Sequence, residues 1–339
     1  MGDLPATANV VIIGAGFAGT ATAWALQRLG IAEVIVLERE VQLGRFASGR
    51  AAGLGRQLVE DEDTTSLTVR GAEVLRTLPV WSPTGGVLSF DDRPNAEAYL
   101  ERAKRRGVQV EPGGKELVMA RWPQLPDLNV TAALWVPSDG TIDVNGLLGV
   151  FSQGVRIEIA TPVVRIEPAA RGANVVTARG TIAARAVVDA SGAWAGELVG
   201  SEALNSFKRH VFIMDATVPD NTPWLWHVGG GEMYMRRDGA SLLASPCDAA
   251  KCPPGHQEPD LVGEAHLRRL LDECDSAIAG VPITRRWACQ RAYTEDRKMR
   301  LGRDPNRPWL VWAAGLGGHG ATASPAVGER VAAAVVEAL

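Results

Sequence analysis

The most constraining feature of this chain is residues 9–39, which predict a strand, a glycine turn, a helix and a second strand. Residues 10–13 form a short β-branched apolar run, typical of a strand buried on both faces of a parallel sheet. Gly14, Gly16 and Gly19 follow with the spacing G-x-G-x-x-G. This spacing allows a tight turn, close approach of backbone to a pyrophosphate, and close packing of helix on strand. We therefore predict a dinucleotide cradle at a helix N-terminus.

The second strand, residues 34–37, ends in an acid, Glu38. A carboxylate at this position accepts hydrogen bonds from a ribose 2′-OH and disfavours a 2′-phosphate. Gly30 stands where a left-handed helix C-cap is expected. These features fit either FAD or NAD.

Composition limits the class of protein. A chain of 339 residues is long enough for two domains, or for one large domain with an inserted layer. With 35 basic and 39 acidic side chains the net charge is −4, so we expect neither a nucleic-acid partner nor a membrane surface.

The four cysteines and the N-terminus give further expectations. Cys247, Cys252, Cys274 and Cys289 lack paired C-x-x-C spacing, so we predict neither a metal site nor a disulfide framework. Neither a signal-peptide pattern nor an apolar run of roughly twenty residues is present, and we expect a soluble cytoplasmic protein with no transmembrane segment.

Residues 65–194 and residues 207–280 differ in pattern. In the first stretch we predict helices at 65–78 and 95–107 and a third helix capped by Asp143. We also predict a turn and strand at 80–90, a loop at 122–137, strands at 156–166, 173–178 and 186–188, and an exit loop at 189–194. Residues 207–280 instead predict antiparallel strands around an Asp238-Gly239 hairpin, with Trp224 and Trp226 in a loop. Such a switch of pattern predicts an inserted, substrate-facing layer.

The C-terminal region predicts a buried strand at 309–314, a glycine-rich turn at 315–320 and an alanine-rich helix from Ala321. A glycine-rich helix start is a second site for an anion or a carbonyl oxygen. A helix N-terminus aimed at a flavin O2 would stabilise negative charge on the reduced ring, which favours FAD over NAD.

Residues 44–58 are open to two interpretations, a surface loop that leads into a helix or a second wall of the nucleotide site. In the second interpretation this segment supplies a hydroxyl, backbone donors and a cation from Ser48, Gly49, Arg50, Ala51 and Ala52.

The motifs GAGFAG with LER, SGRAAG, VVDASGAW and WAAGLGGHGATASPAVGE occur in this order along nearly the whole chain. In this the sequence resembles the FAD-dependent D-amino acid oxidase superfamily, and most of all its glycine oxidase, sarcosine oxidase and D-arginine dehydrogenase-like branch. The resemblance implies an α/β (α+β) fold: a glutathione-reductase-like Rossmann FAD-binding domain with an inserted antiparallel-sheet substrate domain. The implied FAD-binding domain comprises residues 1–78, 140–206 and 285–339, and the substrate-binding domain comprises 79–139 and 207–284.

The resemblance also implies which residues hold FAD. The glycines of the first turn would bind the pyrophosphate, Glu38 the ribose, and Arg39 the region of the adenine. The implied cofactor residues are Gly14, Gly16, Phe17, Ala18, Gly19, Glu38, Arg39, Ser48, Gly49, Arg50, Ala51, Ala52, Val163, Gly192, Trp194, Cys289, Gly317, Gly318, His319, Gly320 and Ala321. At Cys289 a covalent link to flavin is possible but not favoured over a small buried side chain. At His319 packing is favoured over proton transfer.

Three further residues match the family's substrate contacts. Arg291 matches the arginine that binds the substrate carboxylate, for which a bidentate guanidinium is suited. Arg209 and Tyr234 match a second arginine and a tyrosine at the same carboxylate. Each has a structural alternative: a salt bridge for Arg291, a strand-end ion pair for Arg209, and a core phenol for Tyr234.

The resemblance implies a FAD-dependent oxidoreductase acting on a small amino acid or N-alkyl amino acid. Hydride transfer to flavin N5 would give an imine that hydrolyses, with oxygen or a quinone as electron acceptor. No acid in residues 82–90 matches a cationic substrate, which favours an uncharged side chain bounded by Trp224 or Trp226. The alternatives are a flavin-holding subunit of a heteromeric complex with little activity alone, or an NAD-dependent enzyme. The oligomeric state is left open.

Overall fold

The computed structural model describes residues 3–339. Within them the helices are α1 (Phe17–Arg28), α2 (Glu62–Leu75), α3 (Arg93–Arg106), α4 (Lys115–Met119), α5 (Val144–Ser152), α6 (Leu261–Glu273) and α7 (Gly320–Ala338). The strands are β1 (Thr7–Ile13), β2 (Val34–Leu37), β3 (Leu54–Gly55), β4 (Trp81–Ser82), β5 (Gly86–Phe90), β6 (Glu111–Gly113), β7 (Ala132–Val136), β8 (Gly140–Ile142), β9 (Arg156–Glu158), β10 (Val163–Pro168), β11 (Ala173–Thr177), β12 (Gly180–Asp189), β13 (Asn205–Met214), β14 (Trp224–Val228), β15 (Met233–Asp238), β16 (Ser241–Ser245), β17 (Ala250–Lys251), β18 (Ile283–Tyr293), β19 (Arg300–Arg303) and β20 (Leu310–Ala314).

The first large sheet has eight strands and a parallel centre. β1 pairs in parallel with β2 and β12, β2 with β9, and β12 with β20. β10, β11 and β19 extend it with antiparallel pairs. Helices α1 and α7 pack on one face, where small side chains such as Ala23, Ala25 and Ala326 allow close contact with Val10 and Val188. This is the Rossmann-type arrangement that residues 9–39 predict.

The second large sheet has nine strands in the order β17-β13-β16-β15-β14-β5-β7-β6, with β18 also paired to β13. The Asp238-Gly239 hairpin joins β15 and β16 as predicted. The sheet is not wholly antiparallel, because β5 and β14 pair in parallel. A small three-stranded sheet, β3-β8-β4, is separate from both.

Four details of the sequence prediction are wrong. Part of the expected loop at 122–137 is strand β7, which pairs with both β5 and β6. Trp224 and Trp226 lie in strand β14 and not in a loop. Helix α6, capped by Asp260, falls in a region for which only strands were predicted. The helix expected at 65–78 begins three residues earlier, because Asp61 accepts the N–H of Thr64 and caps it.

One of the predicted domain boundaries, at residue 285, does not coincide with the end of a strand. The boundary at residue 285 falls inside β18, whose whole length pairs with β13 of the nine-stranded sheet. The division into two discontinuous domains therefore stays a prediction. In the part of the chain described, no helix is both long enough and apolar enough to cross a bilayer.

Candidate active site

One large cavity lies at the carboxyl ends of the parallel strands, the edge where α/β sheets bind their ligands. The turns after β1, β2, β12 and β20 line it, together with side chains from β14, β15 and β18. The cavity is partly open to solvent.

The turn after β1 depends on three glycines, because a side chain at any of them would collide with neighbouring atoms. A Cβ on Gly14 would lie 2.6 Å from the carbonyl oxygen of Ala190, and one on Gly16 would lie 2.9 Å from Ser48 Oγ. On Gly19 it would lie 1.9 Å from the carbonyl oxygen of Gly14. Gly14 and Gly16 line the cavity, whereas Gly19 lets α1 pack on β1 and does not.

The start of α1 is suited to an anion. No acidic side chain lies in its first turn, so the positive end of the helix dipole is not compensated there. The N–H of Phe17 donates to Ser48 Oγ at 2.9 Å, which places a hydroxyl of the 44–58 segment at the helix N-terminus. Phe17, Ala18, Ser48, Ala51 and Ala52 all line the cavity. The segment therefore forms a second wall of the cavity, as expected if it borders the nucleotide.

At the end of β2, Glu38 is held in place by backbone donors. Its Oε2 accepts the N–H of Ala15 at 2.7 Å and its Oε1 that of Glu40 at 2.9 Å. A fixed carboxylate here suits a ribose hydroxyl and disfavours a 2′-phosphate. Close by, the Arg39 guanidinium lies 3.6 Å from the centre of the Trp194 ring. Val163 and Gly192 complete this part of the lining, together with Thr161 and Pro162, which the sequence did not indicate.

The glycine turn after β20 faces the side chains of β18. A Cβ on Gly317 would lie 2.2 Å from the Tyr293 ring, and one on Gly318 would lie 2.8 Å from Arg291 Nη1. Helix α7 begins at Gly320 with no side-chain cap on its free N–H groups. All of the turn residues implied by the resemblance, Gly317, Gly318, His319, Gly320 and Ala321, line the cavity. The missing side chains thus let Tyr293 and Arg291 pack closely against the turn before the helix N-terminus.

Arg291 and Tyr234 meet at the wall formed by the nine-stranded sheet. Arg291 Nη2 lies 3.5 Å from the Tyr234 hydroxyl, to which it donates. Among residues 3–339 Arg291 has no carboxylate partner, so its remaining N–H donors are available to an anion. Burial raises the pKa of the Tyr234 phenol, although the charge of Arg291 opposes this, and the phenol is neutral at ordinary pH. Trp226 packs against Tyr234 with ring centres 4.8 Å apart.

Besides Gly19, three predicted residues do not line the cavity. Arg209 donates from Nε to the carbonyl oxygen of Asp248 at 2.6 Å, and its place at the substrate carboxylate stays a prediction. Arg50 turns toward the second sheet and donates to the carbonyl oxygen of Ala288 at 2.9 Å. Gly49 donates to the carbonyl oxygen of Gly44 at 2.7 Å. Cys289, two residues before Arg291, does line the cavity and is buried.

Sequence reasoning missed two side chains, Arg56 and Glu60, which connect Trp226 with His319 at the Arg291 end of the cavity. The buried Arg56 guanidinium lies 3.8 Å from the centre of the Trp226 ring, and its Nη2 lies 2.8 Å from Glu60 Oε1. The other oxygen, Glu60 Oε2, lies 3.3 Å from His319 Nε2. An acid four residues after a basic residue was the only signal, and such pairs usually lie on a solvated helix face.

A Rossmann-type cradle joined to a partly buried arginine without a carboxylate partner is typical of a dinucleotide-dependent oxidoreductase. Residues 9–334 match the model of the family described as FAD dependent oxidoreductase (DAO), and the chain belongs to this family. The membership confirms FAD as the cofactor, and the glycine cradle fits it.

Relatives of known function differ in how much of their length the chain spans. It is 25% identical to glycine oxidase of Bacillus licheniformis over 352 residues, which cover 96% of this chain and 92% of that protein. Monomeric sarcosine oxidase of Streptomyces avermitilis is 26% identical over 358 residues, covering 96% and 93%. Rat mitochondrial dimethylglycine dehydrogenase is 24% identical over 321 residues, covering 82% of this chain but only 36% of the relative. The chain thus spans about a third of that longer relative.

Solved structures share the fold over almost the full chain. L-proline dehydrogenase from P. horikoshii superposes with a TM-score of 0.90 at 23% identity, covering 98% of this chain and 94% of that one. Glycine oxidase from Geobacillus kaustophilus gives 0.83 at 24% identity, covering 98% and 95%. The predicted fold class is confirmed.

Proposed function

We propose that this chain oxidises the C–N bond of a small amino acid or N-alkyl amino acid with FAD as cofactor. The observation that carries the proposal is Arg291, a guanidinium without a carboxylate partner that faces the same cavity as the glycine turns. A positive charge partly withdrawn from water, with no carboxylate beside it, is stabilised by a ligand of opposite charge. A substrate carboxylate is such a ligand.

The side chains around Arg291 have complementary tasks. Arg291 binds the carboxylate, and the neutral Tyr234 phenol can donate a second hydrogen bond to it. The buried Trp226 limits the space beside them and excludes water. Held in this way, the substrate presents one C–H in a fixed orientation, which is a large source of rate enhancement. FAD, when bound, supplies the acceptor for the hydride. The resulting imine hydrolyses, and oxygen or a quinone would reoxidise the cofactor.

The substrate side chain is expected to be small or apolar. The cations that line this end, Arg56 and Arg291, are unsuited to a cationic side chain. The charge of Arg56 is already paired with Glu60. Arg56 therefore gives no reason to expect a second anionic group on the substrate. An uncharged side chain beside Trp226 agrees with the absence of an acid in residues 82–90.

The alternative, a flavin-holding subunit of a heteromeric complex, depended on exposed apolar surface around the tryptophan-rich segment. Trp224 and Trp226 are buried in β14, so that support is lost. The similarity to glycine oxidase and sarcosine oxidase over more than 90% of their lengths favours a chain that acts without such a complex.

The test is anaerobic reduction of the purified yellow protein by a panel of D-, L- and N-methyl amino acids. We expect at least one neutral, small member of the panel to bleach the flavin absorbance. Dithionite serves as the control for a reducible flavin. Bleaching by dithionite but by no amino acid would contradict the proposal, and so would a protein that binds NAD and not FAD.

A further inference from the structure

His319 lies between Arg291 and Glu60. It immediately precedes α7, lines the cavity, and follows Gly318, against which the Arg291 guanidinium packs. On its other side the imidazole Nε2 lies 3.3 Å from Glu60, whose side chain is half exposed to solvent. A titratable ring therefore lies between the substrate-binding arginine and bulk water.

The chemistry of the proposed substrate requires a proton acceptor here. An amino acid in neutral water carries an ammonium group, whereas oxidation of its C–N bond requires the amine with a free electron pair. The proton must leave inside a cavity that also contains the positive charge of Arg291. Two acids within residues 3–339 line the cavity, Glu38 just after β2 and Glu197 after β12. Both lie in the part of the cavity that contains Arg39 and Trp194, whereas His319 lies next to the glycine that Arg291 contacts.

Glu60 fixes which ring nitrogen can accept the proton. Partial loss of water would raise the pKa of the Glu60 carboxyl, but Arg56 and His319 outweigh this and hold the pKa well below its usual range. An ionised carboxylate at Nε2 favours the tautomer with the hydrogen on Nε2, which leaves Nδ1 as the acceptor. Nδ1 has no hydrogen-bond partner among the side chains and backbone groups of residues 3–339.

Building on the proposed function, we propose that His319 accepts the substrate ammonium proton at Nδ1 while Glu60 holds the hydrogen on Nε2. One N–H bond of the ammonium breaks, its electron pair stays on nitrogen, and the imidazole becomes an imidazolium. No oxidation or reduction occurs in this step. Once the product has left the cavity, the proton leaves Nδ1 to water, which restores the tautomer with the hydrogen on Nε2.

Charged and titratable groups face His319 from several elements. The Glu60 carboxylate faces the ring from the segment before α2, with Arg56 behind it. Arg291 on β18 lies against Gly318, the residue before His319. The phenols of Tyr293 and Tyr234 face the same turn or cavity.

The tautomer can be measured without any substrate. In the FAD-loaded protein labelled with 15N-histidine, the signal that disappears in His319→Gln identifies His319 among the five histidines. At alkaline pH we expect Nε2 protonated and Nδ1 free, and a mixture of tautomers in Glu60→Gln. A hydrogen on Nδ1 in the unsubstituted protein would overturn the proposal.

The kinetic test uses a panel member that bleaches the flavin. His319→Gln keeps an N–H near Glu60 but removes the base, so the rate of anaerobic reduction at pH 7 should fall about 100-fold. The deficit should shrink as pH rises toward the substrate's own ammonium pKa, because free amine then binds directly. His266→Gln, on α6 and outside the cavity lining, should leave the pH profile unchanged.

The outcomes separate the two proposals. Reduction by an amino acid with the same pH profile in His319→Gln overturns the proton transfer and leaves the proposed function standing. Absence of reduction by every panel member defeats the proposed function, and the proton transfer with it.

Discussion

The cavity has two walls built on opposite principles. The proposed FAD wall, Gly14, Gly16, Gly317 and Gly318, is defined by side chains that are missing, so that neighbouring segments pack closely around two turns that line the cavity. The proposed substrate wall, Arg56, Trp226, Tyr234 and Arg291, is defined by bulky side chains that three distant segments bring together. The first wall is encoded locally in two turns, whereas the second exists only after the two large sheets have packed together. Changes to the FAD wall should therefore affect binding and folding, and changes to the substrate wall should affect turnover.

The largest effect is expected beside the FAD wall, at Gly19. In Gly19→Ala the new methyl would lie 1.9 Å from the carbonyl oxygen of Gly14, so α1 must move away from β1. We expect a loss of about 3 kcal/mol or more in the free energy of unfolding, together with loss of FAD. Urea denaturation and the flavin content after purification measure both. In the control Gly149→Ala, in α5, no atom lies within 4 Å of the new carbon, and stability should stay equal or rise slightly.

On the substrate wall, Arg291→Met should affect turnover and not FAD binding. Loss of a charged, bidentate hydrogen-bonding group from a buried site should lower kcat/KM about 100-fold, or about 3 kcal/mol, mainly through KM. The flavin content should be unchanged. Arg286→Met is the matched control, because Arg286 lies on the same strand but in a surface ion pair with Glu264. Equal kinetics in the two variants would remove Arg291 from the substrate wall.

Substitution of Arg209 tests whether this residue contacts the substrate carboxylate or only stabilises the fold. Since its Nε bonds to the carbonyl oxygen of Asp248 and it does not line the cavity, Arg209→Met should lower the free energy of unfolding by about 2 kcal/mol. KM should change less than about threefold. Arg165→Met, in an exposed pair with Glu167, should change stability by less than about 0.5 kcal/mol. A large increase in KM for Arg209→Met would show instead that Arg209 contacts the carboxylate, as the resemblance implies.

The smallest effect is expected for Tyr234→Phe. The ring and its packing on Trp226 remain, and only the hydroxyl near Arg291 is lost. Loss of one hydrogen bond of about 1 kcal/mol should raise KM roughly fivefold, with kcat and FAD content nearly unchanged. A steady-state comparison on the amino acid that bleaches the flavin measures this. An unchanged KM would mean that Tyr234 is a core residue only.

The same contrast explains how much the sequence could predict. The cradle, β2 with Glu38, and the turn before α7 depend on glycine spacing and on a short strand, which are local patterns. Arg291 and Tyr234 could be named only through the resemblance, since an isolated arginine or tyrosine carries no pattern. Arg56 and Glu60 were missed because their meeting with Trp226 and His319 depends on the packing of distant segments.

The errors in secondary structure have the same origin. Residues 132–136 lie between proline-containing segments and read as a loop, but β5 and β6 pair with them from both sides and impose a strand. Helix α6 carries its apolar stripe, Leu267, Leu270 and Leu271, among charged residues. Its packing on the core of the nine-stranded sheet, and not its propensity, stabilises it.

Equilibrium binding of simple ligands to the oxidised, FAD-loaded protein tests the central claim, that Arg291 binds a carboxylate inside the FAD cavity. Propionate carries the carboxylate and no amine, and propionamide is its uncharged counterpart of similar size. We predict that propionate perturbs the flavin absorption spectrum in a saturable manner, that propionamide does not, and that Arg291→Met abolishes the response while Arg286→Met keeps it. Equal binding of propionate to the unsubstituted protein and to Arg291→Met would contradict the account.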